Sequence, residues 1–405
     1  MAGLLHRQLW QRLPRGSRRE LLFAATRMLA PAISADATPC EPIIIAGPLR
    51  TATGLGQSTR LCYEAFRACG VRVYGIDLTS ALGQSTDFPD YAFVDGRGVM
   101  GAGTLIIHVN SPFIPLALLK LGRTFVEGKW IIGYWHWELP RAPSDWRHGI
   151  SRVHEIWTPS RFTAAAVENV AGKTLIRVLP HPVALGVRIV PRKHPPLNRS
   201  VTALVAFNMA SGFNRKNPLA SIAAFKMAFG NDSQAKLIVK VVHSDSYPDG
   251  RRALYAAIEG MTNVKLIDGT IDAAAMNDLY RRVDIVMSLH RSEGFGLVVA
   301  EAMLNSLPAL STDWSSTTDF LTSETGVPIK YCLVPAVDPQ SSYHEPTVQW
   351  ADADVEYAAT KLEALRDPAL RRAIGEVAQL DALKRFAAEA YVEAAFQWIG
   401  PAKTR

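Results

Sequence analysis

The sequence predicts an α/β fold built as two Rossmann-like domains facing each other across a cleft, and three observations carry that reading. Strand-like apolar runs alternate with helical patterns along most of the chain, the arrangement that builds parallel sheets covered by helices. The alternation pauses at a stretch rich in proline and cations (Pro180, Pro182, Pro191, Arg192, Lys193, His194, Pro195, Pro196) and then restarts. A length of 405 residues is also more than one hydrophobic core ordinarily serves. The expected organisation is a basic segment over 1–37, a first domain over 38–182, a linker over 183–200, a second domain over 201–380 and a terminal helix over 381–405 that crosses back to the first domain.

In the first domain, Pro42-Ile43-Ile44-Ile45-Ala46 is the opening strand, followed by the loop 48–56 and a helix over 57–69. Further strands are expected at 71–78, 104–109, 130–135, 155–158 and 174–178. After the linker the pattern gives strands at 201–207, 235–242, 264–267, 284–288 and 309–312, with a helix starting at Asn217. Helices from Asp354 onward close the second domain, and 386–398 is the segment expected to cross back.

Apolar residues make up 48% of the chain and charged ones 20%, the balance of a soluble globular protein. Cys40, Cys62, Cys69 and Cys332 show neither a C-x-x-C pair nor metal-ligand spacing, so they read as thiols in a reducing compartment. No apolar run reaches the roughly 18–20 residues that span a bilayer, and no transmembrane helix is expected. The net charge of +7 is concentrated at the start, where Arg7, Arg12, Arg15, Arg18, Arg19 and Arg27 face Glu20 alone. Leu5, Leu9, Trp10 and Leu13 share one helical face there; Leu21, Leu22, Ala25, Met28 and Leu29 share another. Such a basic amphipathic segment suits peripheral contact with an anionic membrane, and equally an ordinary surface helix. With no basic-aromatic run elsewhere, nucleic acid is not an expected partner.

The most informative stretch is His290-Arg291-Ser292-Glu293-Gly294-Phe295-Gly296-Leu297-Val298-Val299-Ala300-Glu301-Ala302-Met303. A buried strand precedes it and a helix follows, so Glu293 falls at the carboxyl end of a strand, where open α/β sheets bind ligands. Glu301 lies inside the helix, facing the same cleft. The glycines let backbone N–H groups approach a ligand, and the helix start presents partial positive charge to a phosphate. Helix capping and a tight turn would use the same residues. The string closely resembles the Glu-x7-Glu motif of the family 4 retaining nucleotide-sugar glycosyltransferases, which have the GT-B fold. That resemblance implies that Glu293 contacts the donor sugar, that Glu301 binds the ribose hydroxyls, and that the backbone of Gly294, Phe295 and Gly296 faces sugar and phosphates.

Other segments fit the same family. Asn208 to Pro218 follows the first strand of the second domain and runs into a helix with proline suited to its first turn. Arg215 and Lys216 there are suited to gripping a diphosphate. The family's usual arginine several residues before the lysine is missing, which makes Lys216 the stronger candidate. Gly54-Leu55-Gly56 follows a strand, with Asp77 at the end of the next, as in a dinucleotide fingerprint; Thr59 replaces the third glycine. The resemblance instead assigns Gly54, Leu55 and Gly56 to the donor diphosphate and the acceptor. Ile132-Gly133-Tyr134-Trp135-His136-Trp137-Glu138-Leu139 resembles the G-Y-W-x-W-E-L segment of a subset of that family and makes His136 a candidate for orienting acceptor or sugar. Trp157-Thr158-Pro159-Ser160 resembles its W-x-P-S segment and reads as structural. In the turn 313–320, Ser315 to Thr317 stand where relatives often carry glycine. Asp352-Ala353-Asp354 has the D-x-D form of metal-dependent transferases, but with no strand ahead of it the expected role is helix capping, and no metal or other cofactor is expected.

The resemblance therefore implies a metal-independent, retaining hexosyltransferase. It would move sugar from a nucleoside diphosphate sugar to a glycan or lipid-linked acceptor, in polysaccharide or cell-envelope biosynthesis, in the cytoplasm or at the cytoplasmic membrane face. Two other readings stay open: a Rossmann-type NAD(P)-dependent oxidoreductase or epimerase using Gly54, Gly56 and Asp77, and a non-catalytic glycan-binding protein of the same fold.

Overall fold

The computed structural model describes residues 15–185, 200–343 and 345–400. The apolar face expected at Leu5 to Leu13 and most of the linker 183–200 lie outside these residues. After helix α1 (Arg15–Leu29), the first domain is built from β1 (Ile43–Gly47), α2 (Gly54–Ala68), β2 (Val73–Asp77), β3 (Gly103–Ile107), α3 (Ile114–Leu121), β4 (Lys129–Tyr134), β5 (Glu155–Thr158), α4 (Arg161–Ala171) and β6 (Leu175–Val178). Its six strands lie in the order β2-β1-β3-β4-β5-β6, and every pairing is parallel. A central parallel sheet is covered on both faces, which is why Ile43, Ile44, Ile45, Leu105, Ile106, Ile131 and Ile132 form near-continuous apolar runs rather than alternating ones.

The second domain repeats the scheme with β7 (Val201–Asn208), α5 (Pro218–Phe229), β8 (Ala235–Val242), α6 (Pro248–Ile258), β9 (Val264–Asp268), α7 (Ala273–Arg282), β10 (Ile285–Ser288), α8 (Leu297–Leu304), β11 (Ala309–Thr312) and β12 (Val327–Ile329). Its order is β12-β11-β10-β7-β8-β9. The two halves of this sheet diverge between β10 and β7, and ligands of open α/β sheets bind beside such a switch point. The carboxyl ends of both strands therefore fall at one place in the cleft, bringing the loops after them together.

Two features depart from the sequence reading. β12 was not expected, and the chain then forms an antiparallel hairpin, β13 (Tyr331–Ala336) and β14 (Glu345–Ala353), with a register shift at Pro335/Ala336. A strand thus does precede Asp352-Ala353-Asp354. The two carboxylates still act structurally: Asp352 pairs with Arg291 at 2.7 Å, and Asp354 accepts from Tyr357 N at 2.8 Å to cap the next helix. The hairpin escapes a pattern search because Tyr331, Cys332 and Leu333 are exposed while Ala336 and Trp350 are buried, so its alternation is weak. Its buried residues pack into the first domain's core, beside Trp137, although the hairpin belongs to the second half of the chain.

Helices α9 (Val355–Ala364), α10 (Pro368–Arg385) and α11 (Ala388–Ile399) end the chain. Tyr391 of α11 donates to the Cys62 thiol on α2 at 3.0 Å, and its ring meets Phe66 edge-on at 5.9 Å, so α11 packs on the first domain. Trp350 is 2% exposed and sits between the hairpin and the first domain. Trp350→Ala is expected to cost about 3–5 kcal/mol, as large aromatic truncations in cores do; urea unfolding of both proteins measures it, and an unchanged midpoint would contradict this packing.

Candidate functional site

The cleft encloses a cavity of about 440 Å³ whose walls come from both domains. From the second domain, the loop after β7 delivers Arg215 and Lys216, and the loop after β10 delivers Glu293. The two strands are neighbours, which is how residues 77 positions apart come into contact. Lys216 Nζ donates to Glu293 Oε1 at 2.5 Å, and Arg215 Nη1 lies 3.2 Å from Glu293 Oε2. Burial alone would raise the Glu293 pKa; the charges of Lys216 and Arg215 overcome it and bring it down to about 2. Glu293 is therefore a buried, fixed anion. Its own N–H donates to Ser315 Oγ at 2.9 Å, so the serine in the glycine-poor turn fastens this loop through its side chain.

Arg215 lines the cavity and is also engaged by the surrounding protein. It is 2% exposed; Nε and Nη2 donate to Ser211 O, Nη1 donates to Ser292 O, and the guanidinium lies over the Tyr343 ring at 4.8 Å. This arginine holds the Glu293 loop. Lys216, at one-fifth exposed, lines the cavity too, together with Lys240 and Arg60.

Glu301 lines the same cavity one helix further in. Tyr280 OH donates to its Oε2 at 2.6 Å, and burial raises the Glu301 pKa against the opposing influence of Tyr280 and Lys240. The backbone of 294–296 joins the two carboxylates along the wall. Gly296 has φ +97°, and a Cβ there would meet Thr317 Cγ2 at 2.5 Å, so only glycine fits this helix entry. The Phe295 side chain points into the core against Phe320 and Phe386, leaving its main chain to the cavity. A Cβ on Gly294 would come within 3.2 Å of Trp137 O in the first domain.

The first domain supplies the opposite wall. Gly54 and Leu55 line it, and α2 starts there with Thr53 Oγ1 accepting from Gly56 N. Gly56 does not reach the cavity: a Cβ on it would meet Thr51 O at 2.4 Å, so this glycine keeps the loop closed. Asp87 ties that loop from behind, accepting from Ala52 N at 2.6 Å. Asp77 Oδ1 accepts from Thr79 through both N–H and Oγ1, and Asp77 is not among the residues that line the cavity. Trp157, read as structural, is fully buried.

His136 lines the cavity, and its hydrogen bonds fix its tautomer. Tyr134 OH lies within reach of both Leu179 O and His181 Nδ1. The carbonyl only accepts, so the hydroxyl donates to it and accepts from His181 Nδ1–H. His181 Nε2 is then an acceptor, and His136 Nε2–H, 3.1 Å away, must donate to it. His136 Nδ1 is left as a lone pair. Sequence reasoning missed His181, Tyr280, Lys240 and Tyr343; none sits in a recognisable motif. Among the described residues no cluster of three or more histidine, cysteine, aspartate or glutamate side chains forms a metal-binding group.

A family model described as "Family 4 Glycosyltransferase in conflict systems" matches residues 161–377, just over half the chain. No curated protein matches the sequence. Solved structures share the fold: HepE from Anabaena in complex with UDP-glucose (TM-score 0.61, 12% identity, 88% of this chain and 98% of that one); sucrose-phosphate synthase from Thermosynechococcus elongatus (0.58, 15%, 88% and 98%); and TarM from S. aureus in complex with fondaparinux, alpha-GlcNAc-glycerol and UDP (0.54, 14%, 74% and 55%). The chain spans 55% of the length of the TarM chain. Both domains are those of GT-B glycosyltransferases.

Burial lowers the His136 pKa to about 3 and that of His290 to about 4, and puts His108 and His181 well below 6.5. The fold thus holds four neutral histidines that the unfolded chain protonates below about pH 6.5. The unfolded state then binds more protons, so stability falls as pH falls from about 6.5 toward 4. Tm should drop between pH 7.5 and 5.5, and less in His136→Asn; equal drops would refute the assignment of His136 as a buried neutral group.

Proposed function

The chain belongs to the family of family 4 glycosyltransferases in conflict systems, and from that premise we propose that it moves a hexose from a uridine diphosphate sugar to a glycan or lipid-linked glycan, with retention of anomeric configuration. The observation that carries this reading is the Glu293–Lys216 pair, seated in one cavity with Glu301. In this reading one ligand meets all three, with ribose hydroxyls at Glu301, diphosphate along the 294–296 backbone and Lys216, and sugar hydroxyls at Glu293. Uridine as the base is supported by the UDP and UDP-glucose complexes of the HepE and TarM structures.

In this mechanism the bond between the anomeric carbon and the β-phosphate oxygen breaks as the acceptor oxygen bonds to the same face of that carbon. The acceptor hydroxyl's proton passes to the departing diphosphate. Lys216 and the N–H groups at the start of α8 stabilise the charge that develops there. Glu293 is already ionised and fixed, so it positions the sugar without being reorganised. His136 lines the cavity, while its Nδ1 lone pair is buried and makes no hydrogen bond. These protein groups meet the leaving-group charge in our reading without a divalent cation.

The acceptor reading draws on α1. Phe23, Thr26 and Ala30 face the protein, whereas Leu21, Leu22, Met28 and Leu29 are exposed, Met28 by 84% and Leu29 by 73%. No helix among the described residues is long and apolar enough to cross a membrane. We place this exposed face, with Arg27 beside it, on the cytoplasmic surface of an anionic bilayer, where a lipid-linked acceptor would be met.

Glu293→Ala and Lys216→Ala should each lower UDP release from UDP-hexoses by about a hundredfold or more, with far-UV circular dichroism unchanged; normal turnover in both would overturn the site. The protein should co-sediment with vesicles of phosphatidylcholine containing phosphatidylglycerol and not with phosphatidylcholine alone, and Met28→Glu with Leu29→Glu should abolish this. Binding that survives the double substitution would remove α1 from the membrane reading.

A further inference from the structure

The charged residues that line the donor cavity are not spread evenly along it. Arg60 and Lys240 stand toward the Glu301 end: Arg60 borders, with Glu301, a neighbouring cavity of about 830 Å³, and the charge of Glu301 acts on Lys240. Arg215, Lys216, Glu293 and Glu138 stand at the other end, which the reading above gives to the sugar. Of these four, Glu138 alone comes from the first domain, on the loop after β4. Its Oε1 lies 3.9 Å from Arg215 Nη2, and its Cγ is 3.6 Å from where a Cβ on Gly294 would stand, so it faces the Glu293 loop across the cleft. Its side chain is 17% exposed against 9% for that of Glu293, which makes it the more accessible carboxylate of the two.

We propose that Glu138 sets the charge class of the donor sugar: with Glu293 it makes the sugar end of the cavity acidic once a diphosphate is bound, which admits uncharged sugars and excludes uronic acids. The inference rests on the donor reading above and adds to it the residue and the repulsion that select the sugar.

The balance of charge carries it. At the sugar end two carboxylates face two cations. A bound diphosphate draws on Lys216, whose ammonium donates to Glu293 Oε1. One cation then remains for two carboxylates, and that cation is not open to a ligand. Arg215 is buried, with Nε and Nη2 donating to Ser211 O and Nη1 donating to Ser292 O and lying 3.2 Å from Glu293 Oε2. Those contacts hold the arginine without Glu138, whose pairing with it is the longer of the two carboxylate contacts. The histidines add no charge: His136 and His181 line the same cavity, and burial holds both neutral. Tyr343 stays a neutral phenol, because burial and the Glu138 charge both raise its pKa.

A sugar carrying a carboxylate would meet Glu138 on one wall and Glu293 on the other, with no free cation to pair with, and an unpaired charge is costly in such a place. A hydroxymethyl group in the same position is neutral and can donate to either carboxylate. Discrimination of this kind works through a repulsive element built against the wrong ligand.

The test uses the full chain and isothermal titration calorimetry with donors matched except at C6: UDP-glucose against UDP-glucuronate, UDP-galactose against UDP-galacturonate, and UDP-N-acetylglucosamine against its uronate, with UDP alone as reference. The pair whose neutral member binds tightest decides. In wild type the uronate should bind about tenfold more weakly or worse, the scale of repulsion between like charges a few ångströms apart. Glu138→Gln should bring the pair to within about threefold, whereas Glu138→Asp, which keeps the charge, should leave the gap near its wild-type size. Glu138→Ala repeats the measurement should the amide fail to fold. A merely structural Glu138 would shift both members of a pair alike and leave their ratio unchanged. Equal binding of the pair by wild type, or a gap that survives the loss of the Glu138 charge, overturns the inference while UDP binding leaves the donor reading standing. If UDP itself does not bind, the donor reading has failed and the inference falls with it.

Discussion

Everything in the cleft depends on keeping the Glu293 carboxylate ionised although it is 7% exposed. An isolated carboxylate in such a place would take up a proton, because burial penalises charge. Two cations on the neighbouring loop prevent that, and they divide the work. Arg215 is locked by Ser211 O, Ser292 O and the Tyr343 ring and acts as scaffold; Lys216 is bound by the carboxylate alone at its ammonium and can turn to an incoming phosphate. Removing one partner of a buried pair ordinarily costs about 3–5 kcal/mol, but Glu293 keeps a second cation when either is lost.

The loop that carries this carboxylate is also a place where the two domains are joined. Ser160 Oγ and Thr163 Oγ1, at the start of α4 in the first domain, both donate to Gly294 O, and Thr163 Oγ1 also reaches Trp137 O. Arg161 N and Nε bond Asp319 in the turn that follows β11. The W-x-P-S segment thus carries the cleft floor, and its structural reading has a functional consequence: it sets how far the His136 wall stands from Glu293. The hairpin adds a second bridge through Trp350 and Tyr343, and α11 a third through Tyr391.

Much of this was legible in the residues. Parallel strands buried on both faces give unmistakable apolar runs, so strands such as Ile43–Gly47 and Ala235–Val242 fall within a residue or two of where the pattern puts them. Glu293, Glu301 and Lys216 were visible because they lie in compact segments, and the fold brings all three to one cavity. What the sequence hid arises from distance. Whether Arg215 faces ligand or loop depends on the Ser211 and Ser292 carbonyls, which no side-chain identity reports. Gly54 and Gly56 look alike in the string, but only the second is pressed against Thr51 O. His181 and Tyr280 become important through contacts with His136 and Glu301, 45 and 21 residues away. The hairpin hid because its apolar side is short and faces the other domain.

The central claim is that Glu293, Lys216 and Glu301 form one donor site. A crystal structure of the chain with UDP tests it most directly. The account predicts the ribose hydroxyls on Glu301 and the β-phosphate on Lys216, at the start of α8. A nucleotide bound away from all three residues would contradict it.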